Sequence, residues 1–224
     1  MKLTRVGLFG GTFDPIHFGH LRAALEVKEA FALDICHLIP AAVPPHKNVN
    51  AVAVARDRLE MIRLAISGDA EFCVSDAELN RTGRSYTIDT VRHFKAILPQ
   101  DAECFLILGQ DAFLEIDTWK SYRALFDLVT LVVMQRPSAA INSVRRLKAA
   151  MHATLDKTVD CDYSYAESSA GFFHRSLKPV YIHPVTCIDI SSTQIRSMLK
   201  QGRSVQYLMP PKVIEFINSR GLYR

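Results

Sequence analysis

No apolar run in this 224-residue chain approaches the roughly 18 residues a helix needs to cross a bilayer, and the N-terminus passes into strand-like sequence without a signal-peptide core. The expectation is a cytoplasmic protein with no membrane contact. Cysteine is sparse: Cys36, Cys73, Cys104, Cys161 and Cys187 form no Cys-x-x-Cys pair, which argues against a structural zinc site and suits reduced thiols. Cys36, Cys104 and Cys187 lie in apolar runs and are expected to fill core. Charge of neither sign is concentrated. Lys and Arg number 27 against 23 Asp and Glu, a net charge of +4 with a pI near 8.8. Basic residues dispersed in this way suit small anionic ligands better than a duplex, so nucleic acid is not required. There is no internal repeat or low-complexity tract. With 49% hydrophobic residues and a mean hydropathy of +0.07, the chain can bury a real core, and a single domain spanning 1–224 is expected.

Strand-like and helix-like segments alternate. Strands are expected at 5–9, 35–39, 72–74, 104–108, 128–134, 180–183 and 185–190, with Pro184 interrupting the last two. Helices are expected at 18–31, 54–66, 87–98, 121–126, 138–155, 194–199 and 213–218, the last closed by Arg220-Gly221. Residues 160–176 are rich in Ser, Tyr and Phe without clear periodicity and are expected to form a long insertion, a candidate for mobility. The alternation predicts an α/β fold, doubly wound, with a mainly parallel sheet and helices on both faces. Ligands in such sheets bind beyond the carboxyl ends of the strands, where Gly10, Pro40, Gly109 and Gln135 would lie.

The most informative stretch is Gly10-Gly11-Thr12-Phe13-Asp14-Pro15-Ile16-His17-Phe18-Gly19-His20, directly after the apolar run Val6 to Phe9. Its glycines let backbone approach a ligand, and the helix that follows offers N–H groups and a positive dipole end to an anion. The spacing fits neither the dinucleotide fingerprint nor the Walker loop. His17 and His20, three residues apart, lack the third ligand and the glutamate of a zinc His-Glu-x-x-His site, so no metal ligands are assigned. The pattern favours two imidazoles donating to phosphate oxygens, against the plainer alternatives of a capping or a packed histidine. A second constellation, Ser191-Ser192-Thr193-Gln194-Ile195-Arg196, places hydroxyls at a helix start and an arginine one turn on. Alone it could be an ordinary N-cap; beside the first motif it suits a polyphosphate, with Arg196 neutralising its charge. For Asp14, a turn residue before Pro15 and an outer-sphere contact to a phosphate-bound cation are both open.

Together these motifs resemble the nucleotidyltransferase superfamily that carries His-x-Gly-His and Ser-x-Thr-x-x-Arg signatures. Further landmarks, Pro44-Pro45-His46-Lys47, Ser85-Tyr86-Thr87, Gly109-Gln110-Asp111, Thr118-Trp119, Arg136-Pro137 and Gly221-Leu222-Tyr223-Arg224, make the chain similar to bacterial nicotinate-nucleotide adenylyltransferases over nearly its whole length. It departs from the family's pattern at Ser138, where Gly commonly follows Arg-Pro, and in a longer segment at 139–176. The resemblance implies a Rossmann-like nucleotidyltransferase fold with a C-terminal helical segment at about 191–224. It also implies transfer of the adenylyl group of ATP to nicotinate mononucleotide, by in-line attack without a covalent intermediate, giving deamido-NAD and pyrophosphate in NAD biosynthesis.

By the same resemblance, His17, His20 and Arg196 are the catalytic residues, with His20 stabilising the α-phosphate and Arg196 taking pyrophosphate. Gly10, Gly11, Thr12 and Phe13 would lie along the ATP, joined by Ser191, Ser192 and Thr193 at a second phosphate-binding edge. Magnesium would arrive with ATP, held chiefly by phosphate oxygens and water, with Asp111 a second outer-sphere candidate. On the acceptor side, Trp119 would stack on the pyridine ring and Tyr86 and Thr87 would face its carboxylate, with Asp111 alongside; Lys47 and Arg136 would supply counter-charge. The partners implied are ATP and nicotinate mononucleotide, with oligomeric state open. Two alternatives stay open: the same transfer onto nicotinamide mononucleotide or phosphopantetheine, and a non-catalytic nucleotide-binding protein. Retention of His17, His20 and Arg196 speaks against the second.

Overall fold

The computed structural model of the protein describes residues 4–43, 52–135 and 143–224. Its elements are β1 (Arg5–Gly11), α1 (Phe18–Ala30), β2 (Ile35–Pro40), α2 (Ala55–Ala65), β3 (Phe72–Val74), α3 (Thr87–Ile97), β4 (Glu103–Gly109), α4 (Gln110–Leu114), α5 (Arg123–Leu128), β5 (Thr130–Gln135), α6 (Val144–Thr158), β6 (Ser164–Ala166), β7 (Gly171–Phe173), β8 (Val180–Pro184), α7 (Ser192–Lys200) and α8 (Pro211–Arg220). Among the described residues the strands form one sheet in the order β3-β2-β1-β4-β5-β8-β7-β6. Strands β3 to β8 in that spatial order pair parallel, and only the β8–β7 and β7–β6 pairings at the end are antiparallel. The expected mainly parallel sheet is present. From β1 the chain first builds outward through β2 and β3, then crosses back to β4, so the strand order reverses between β1 and β4. A crevice opens at such a reversal, beyond the strand ends.

Alternation along the central strands sends side chains to two apolar layers. Val6, Leu8, Leu106, Leu108, Leu131 and Val133 point to one, covered by Ile88 and Val91 of α3, Phe113 of α4, Phe126 of α5 and Leu147 of α6. Phe9, Phe105, Ile107, Val132 and Met134 point to the other, covered by Ala24 of α1, Met61 of α2, Ile195 of α7 and Val213 of α8. Burial on both faces explains why these strands read as continuous apolar runs. Helix α8 ends at Gly221, whose φ of +63° lies in the left-handed region that ends helices at low cost to glycine.

Several sequence expectations are corrected. Residues 160–176 contain the β6–β7 hairpin, which pairs onto β8; Tyr163 and Phe172 enter the first apolar layer. The hairpin strands span three residues each, too short for a period-2 signal to stand out. Residues 185–190 form no strand, because the sheet ends at Pro184, which cannot donate to a further rung. The helix expected from 138 begins at Val144, its start set by the Ser143 side chain accepting from the Arg146 N–H; residues 138–142 lie outside the described residues. Cys36 and Cys104 are buried as expected, but Cys187 is exposed, since it follows the end of β8 rather than continuing it.

Candidate active site

The carboxyl ends of β1 and β4 open where the ligand crevice is expected: a Cβ built on Gly10 or Gly109 would meet nothing within 4 Å. Beyond β1 the chain turns sharply through Phe13, whose φ of +47° is uncommon for a bulky residue. Its ring turns inward, edge-on to Phe9 at 5.5 Å and to His20 at 5.1 Å between centroids. Phe13 is therefore core, and only its backbone can border a nucleotide. Gly11 permits the turn, because a Cβ there would sit 2.9 Å from the Phe13 ring. Thr12 is half-exposed beside it.

His17 occupies the N-cap of α1 with extended backbone, and its carbonyl accepts from the N–H groups of His20 and Leu21. The two imidazoles stack, centroids 3.7 Å apart and planes inclined by 26°. His17 is 2% exposed, whereas His20 is half-buried, so His20 presents the open ring of the pair and His17 backs it. The helix starts at Phe18, as expected, and the Phe18 N–H is taken by the Leu208 carbonyl at 3.1 Å, which withdraws one of the expected anion donors. Gly19 has a steric role: a Cβ there would lie 3.1 Å from both Cε1 and Nδ1 of His17. Gly19→Ala should shift that ring on its stack. The ring must give by a few tenths of an ångström, a fraction of the ~1 Å misplacement that can cost ~10²-fold in rate, so kcat/KM of Gly19→Ala is expected to fall by roughly tenfold or less with little change in urea midpoint; an undiminished kcat/KM would contradict the steric role.

The two phosphate-handling motifs are joined directly. Ser192 Oγ donates to the Pro15 carbonyl at 2.9 Å, and Arg196 Nη1 donates to the Asp14 carbonyl at 2.8 Å. Ser191 caps α7, its hydroxyl accepting from the Gln194 N–H, while Thr193 Oγ1 accepts from Arg196 Nη2 at 3.4 Å. The capping and functional readings of this segment thus hold side by side, since the cap places the hydroxyls and the arginine at one edge.

Asp14 is 2% exposed and is more than a turn residue. Its Oδ1 accepts from the Ala53 N–H at 3.1 Å and from the Tyr223 hydroxyl at 2.6 Å, and Oδ2 lies 3.6 Å from Arg196 Nη1. Close by, Arg58 is 1% exposed and donates to the carbonyls of Thr12 at 2.7 Å, Ala41 at 2.6 Å and Ala53 at 2.9 Å. Burial lowers the pKa of its guanidinium from the ordinary value, opposed by the negative charge of Asp14. Sequence reasoning missed Arg58, although it lies on the apolar stripe of α2 with Met61 and Ile62, three and four residues on.

The acceptor side gathers around the start of α3. Tyr86 is its N-cap and Thr87 its first residue, both half-buried. Ser85 secures this start: its Oγ accepts from the Ala42 N–H at 2.8 Å, and its N–H donates to the Val43 carbonyl. Lys120 Nζ stands 4.6 Å over the Tyr86 ring and 3.0 Å from Asp89 Oδ2, and the preceding residue, half-buried Trp119, packs against the first apolar layer. Asp111 is exposed in the first turn of α4. Lys47 and Arg136 lie outside the described residues. Among the described residues, Asp160, Asp162 and His174 bring metal-ligating atoms within 4.8 Å of one another, away from this crevice on the flanks of the β6–β7 hairpin. His174 Nδ1 accepts from the N–H groups of Ser176 and Leu177, which leaves the ring proton on Nε2, facing Asp160. That tautomer has no lone pair at Nε2 for an ion, so the cluster reads as a polar contact with Nε2 3.5 Å from Asp160 Oδ2.

Known proteins place the chain. Residues 8–198 match the cytidylyltransferase-like family. The chain is 43% identical over 223 residues to a probable nicotinate-nucleotide adenylyltransferase of Desulfatibacillum aliphaticivorans, covering 98% of this chain and 99% of that one. It is 40% identical over 219 residues to another of that name from Geotalea uraniireducens, covering 98% of each. Among solved structures, the nicotinic acid mononucleotide adenylyltransferase of Plasmodium falciparum complexed with NaAD matches with a TM-score of 0.72 at 15% identity, over 98% of this chain and 97% of that one, a likeness of fold. No helix among the described residues is long and apolar enough to cross a membrane. The chain has the Rossmann-like nucleotidyltransferase fold and belongs to the cytidylyltransferase-like family and, within it, to the nicotinate-nucleotide adenylyltransferases.

Proposed function

We propose that this protein transfers the adenylyl group of ATP to nicotinate mononucleotide, releasing pyrophosphate and deamido-NAD, as a cytoplasmic step in NAD biosynthesis. The observation that carries the reading is the joining of the His17–His20 turn to the Ser191–Arg196 helix start through Ser192 and Arg196, at the open ends of β1 and β4. Its five free thiols suit a reducing compartment.

The 5′-phosphate oxygen of the mononucleotide attacks the α-phosphorus of ATP in line, and the bond to pyrophosphate breaks as the new P–O bond forms. Positioning and charge stabilisation suffice, and no covalent intermediate is required. His20, braced by His17 and Phe13, donates to the α-phosphate as its oxygens gain charge. Arg196 keeps one N–H on the Asp14 carbonyl and turns the rest of its planar fork to the departing pyrophosphate. Gly10, Gly11 and the Thr12 backbone border the nucleotide, with Ser192 and Thr193 at the phosphate edge. ATP enters as its magnesium complex; the oxygens of Asp14 are engaged by Ala53, Tyr223 and Arg196, so phosphate oxygens and water remain as the ion's ligands. N–H groups at the start of α3, after Tyr86, receive the pyridine carboxylate, and Trp119 stacks on the ring; Asp111, Lys47 and Arg136 complete the acceptor side. A site of donors favours a carboxylate and leaves the N–H groups of an amide unpaired.

Pyrophosphate release from magnesium ATP with nicotinate mononucleotide, nicotinamide mononucleotide and phosphopantetheine in parallel tests the reading. Nicotinate mononucleotide is expected to be preferred by about 10²-fold or more in kcat/KM, the scale at which unpaired polar groups discriminate. Release with another acceptor alone would overturn the acceptor assignment, and release with none would overturn the reaction.

A further inference from the structure

The tail Gly221-Leu222-Tyr223-Arg224 has no part in the reaction above, yet it runs back to the phosphate site. The Leu222 N–H donates to the Ile217 carbonyl at 3.0 Å, and Leu222 and Tyr223 pack against the second apolar layer. This brings the Tyr223 hydroxyl to Asp14 Oδ1, 209 residues away in sequence, at 2.6 Å. Burial raises the pKa of that phenol and the hydrogen bond to Asp14 raises it further, so the hydroxyl keeps its proton and always donates. The same carboxylate has Oδ2 3.6 Å from Arg196 Nη1, the atom that also donates to the Asp14 carbonyl.

We propose that Tyr223 is a positioning residue for Arg196: its hydroxyl pins Asp14 in the rotamer that holds one edge of the guanidinium and leaves the other edge to pyrophosphate. Without the hydroxyl, Oδ1 keeps, among the described residues, the Ala53 N–H, and the carboxylate is released to close on Arg196 and draw the cation off the leaving group. The tail thereby sets affinity for pyrophosphate, not for the acceptor. This rests on the reading of Arg196 as the pyrophosphate-binding group.

Tyr223→Phe removes the hydroxyl alone. With deamido-NAD and pyrophosphate supplied in the reverse direction, its KM for pyrophosphate is expected to rise roughly tenfold, the scale of one hydrogen bond to a charged group, while the KM for nicotinate mononucleotide in the forward direction stays within twofold. On an Arg196→Ala background the same substitution should add nothing, because the two act in series. A merely structural tyrosine would lower the melting temperature and shift both KM values together; that outcome, an unchanged pyrophosphate KM, or effects that multiply with Arg196→Ala would overturn the proposal. If Tyr223→Phe does not fold, Asp14→Ala removes the carboxylate that Tyr223 pins and that holds one edge of the guanidinium, and must raise the pyrophosphate KM. If the wild-type protein makes no deamido-NAD, the reaction assigned above fails on its own, and calorimetric titration of pyrophosphate into wild type and Tyr223→Phe decides the role of Tyr223: a tenfold weaker affinity supports it and equal affinities overturn it.

Discussion

Replacing His20 with alanine is expected to lower kcat for deamido-NAD formation about 10²–10³-fold, the usual consequence of losing one preorganised donor to a developing negative charge. The packing explains why the donor is preorganised. The imidazole is stacked on His17 at 3.7 Å and meets the edges of Phe13 and Phe9 at 5.1 and 6.5 Å, so it does not reorganise when charge appears on the α-phosphate. The ring stands in the first turn of α1, half-buried against Phe13 and Phe9, so its removal should cost about 1–2 kcal/mol in aromatic contact, and urea unfolding should stay cooperative with a modestly lowered midpoint. The loss should fall on kcat, since ATP keeps its contacts with the Ser192–Arg196 edge. Glutamine at this position keeps an N–H donor and should recover part of the rate. Retention of more than about a tenth of wild-type kcat by His20→Ala would remove His20 from the chemistry, given that a single such donor is normally worth far more.

The same rings show how far sequence could go. The central strands and helices α1, α2 and α3 were legible because their apolar periodicity is long and flanked by turn residues, and the two phosphate motifs announced themselves through glycines, histidines and hydroxyls at helix starts. What sequence could not supply was the contact between them. Ser192 and Pro15 are 177 residues apart, and no periodicity within either segment reports their pairing. The β6–β7 hairpin escaped for a local reason, since three-residue strands leave too few alternations to recognise. Phe13 is expected along the ATP because it sits among motif residues; its burial and positive φ, which turn its ring to the core and leave its backbone at the site, have no sequence signal. Arg58 carried a signal that went unread. A charged residue on the apolar stripe of an amphipathic helix must be paired or hydrogen-bonded once buried, and that requirement alone marks it as a structural hub.

Arg58→Ala is expected to be the most destabilising substitution near the site. The guanidinium fastens the loop after β1, the end of β2 and the segment entering α2 by donating to the carbonyls of Thr12, Ala41 and Ala53, with Ala42 a longer fourth acceptor at 3.3 Å. Removing it leaves those acceptors in a space closed to bulk water, at ~1–3 kcal/mol for each buried group left unsatisfied. Part of that cost is recovered if water enters, so the expected loss is about 3–5 kcal/mol in urea unfolding, the range in which a named mechanism is required. Asp14 aggravates the loss, because its buried carboxylate would forfeit a nearby positive charge and keep, among the described residues, the half-exposed Arg196. Lysine should restore little: one ammonium cannot place donors on three carbonyls fixed in the plane of a guanidinium fork. Activity should decline with stability, since the Thr12 carbonyl that Arg58 holds lies between the β1 glycines and the His17–His20 turn. A loss below ~1 kcal/mol for Arg58→Ala, the size of an ordinary surface change, would show that the three segments hold their places without it and that the buried cation serves some other end.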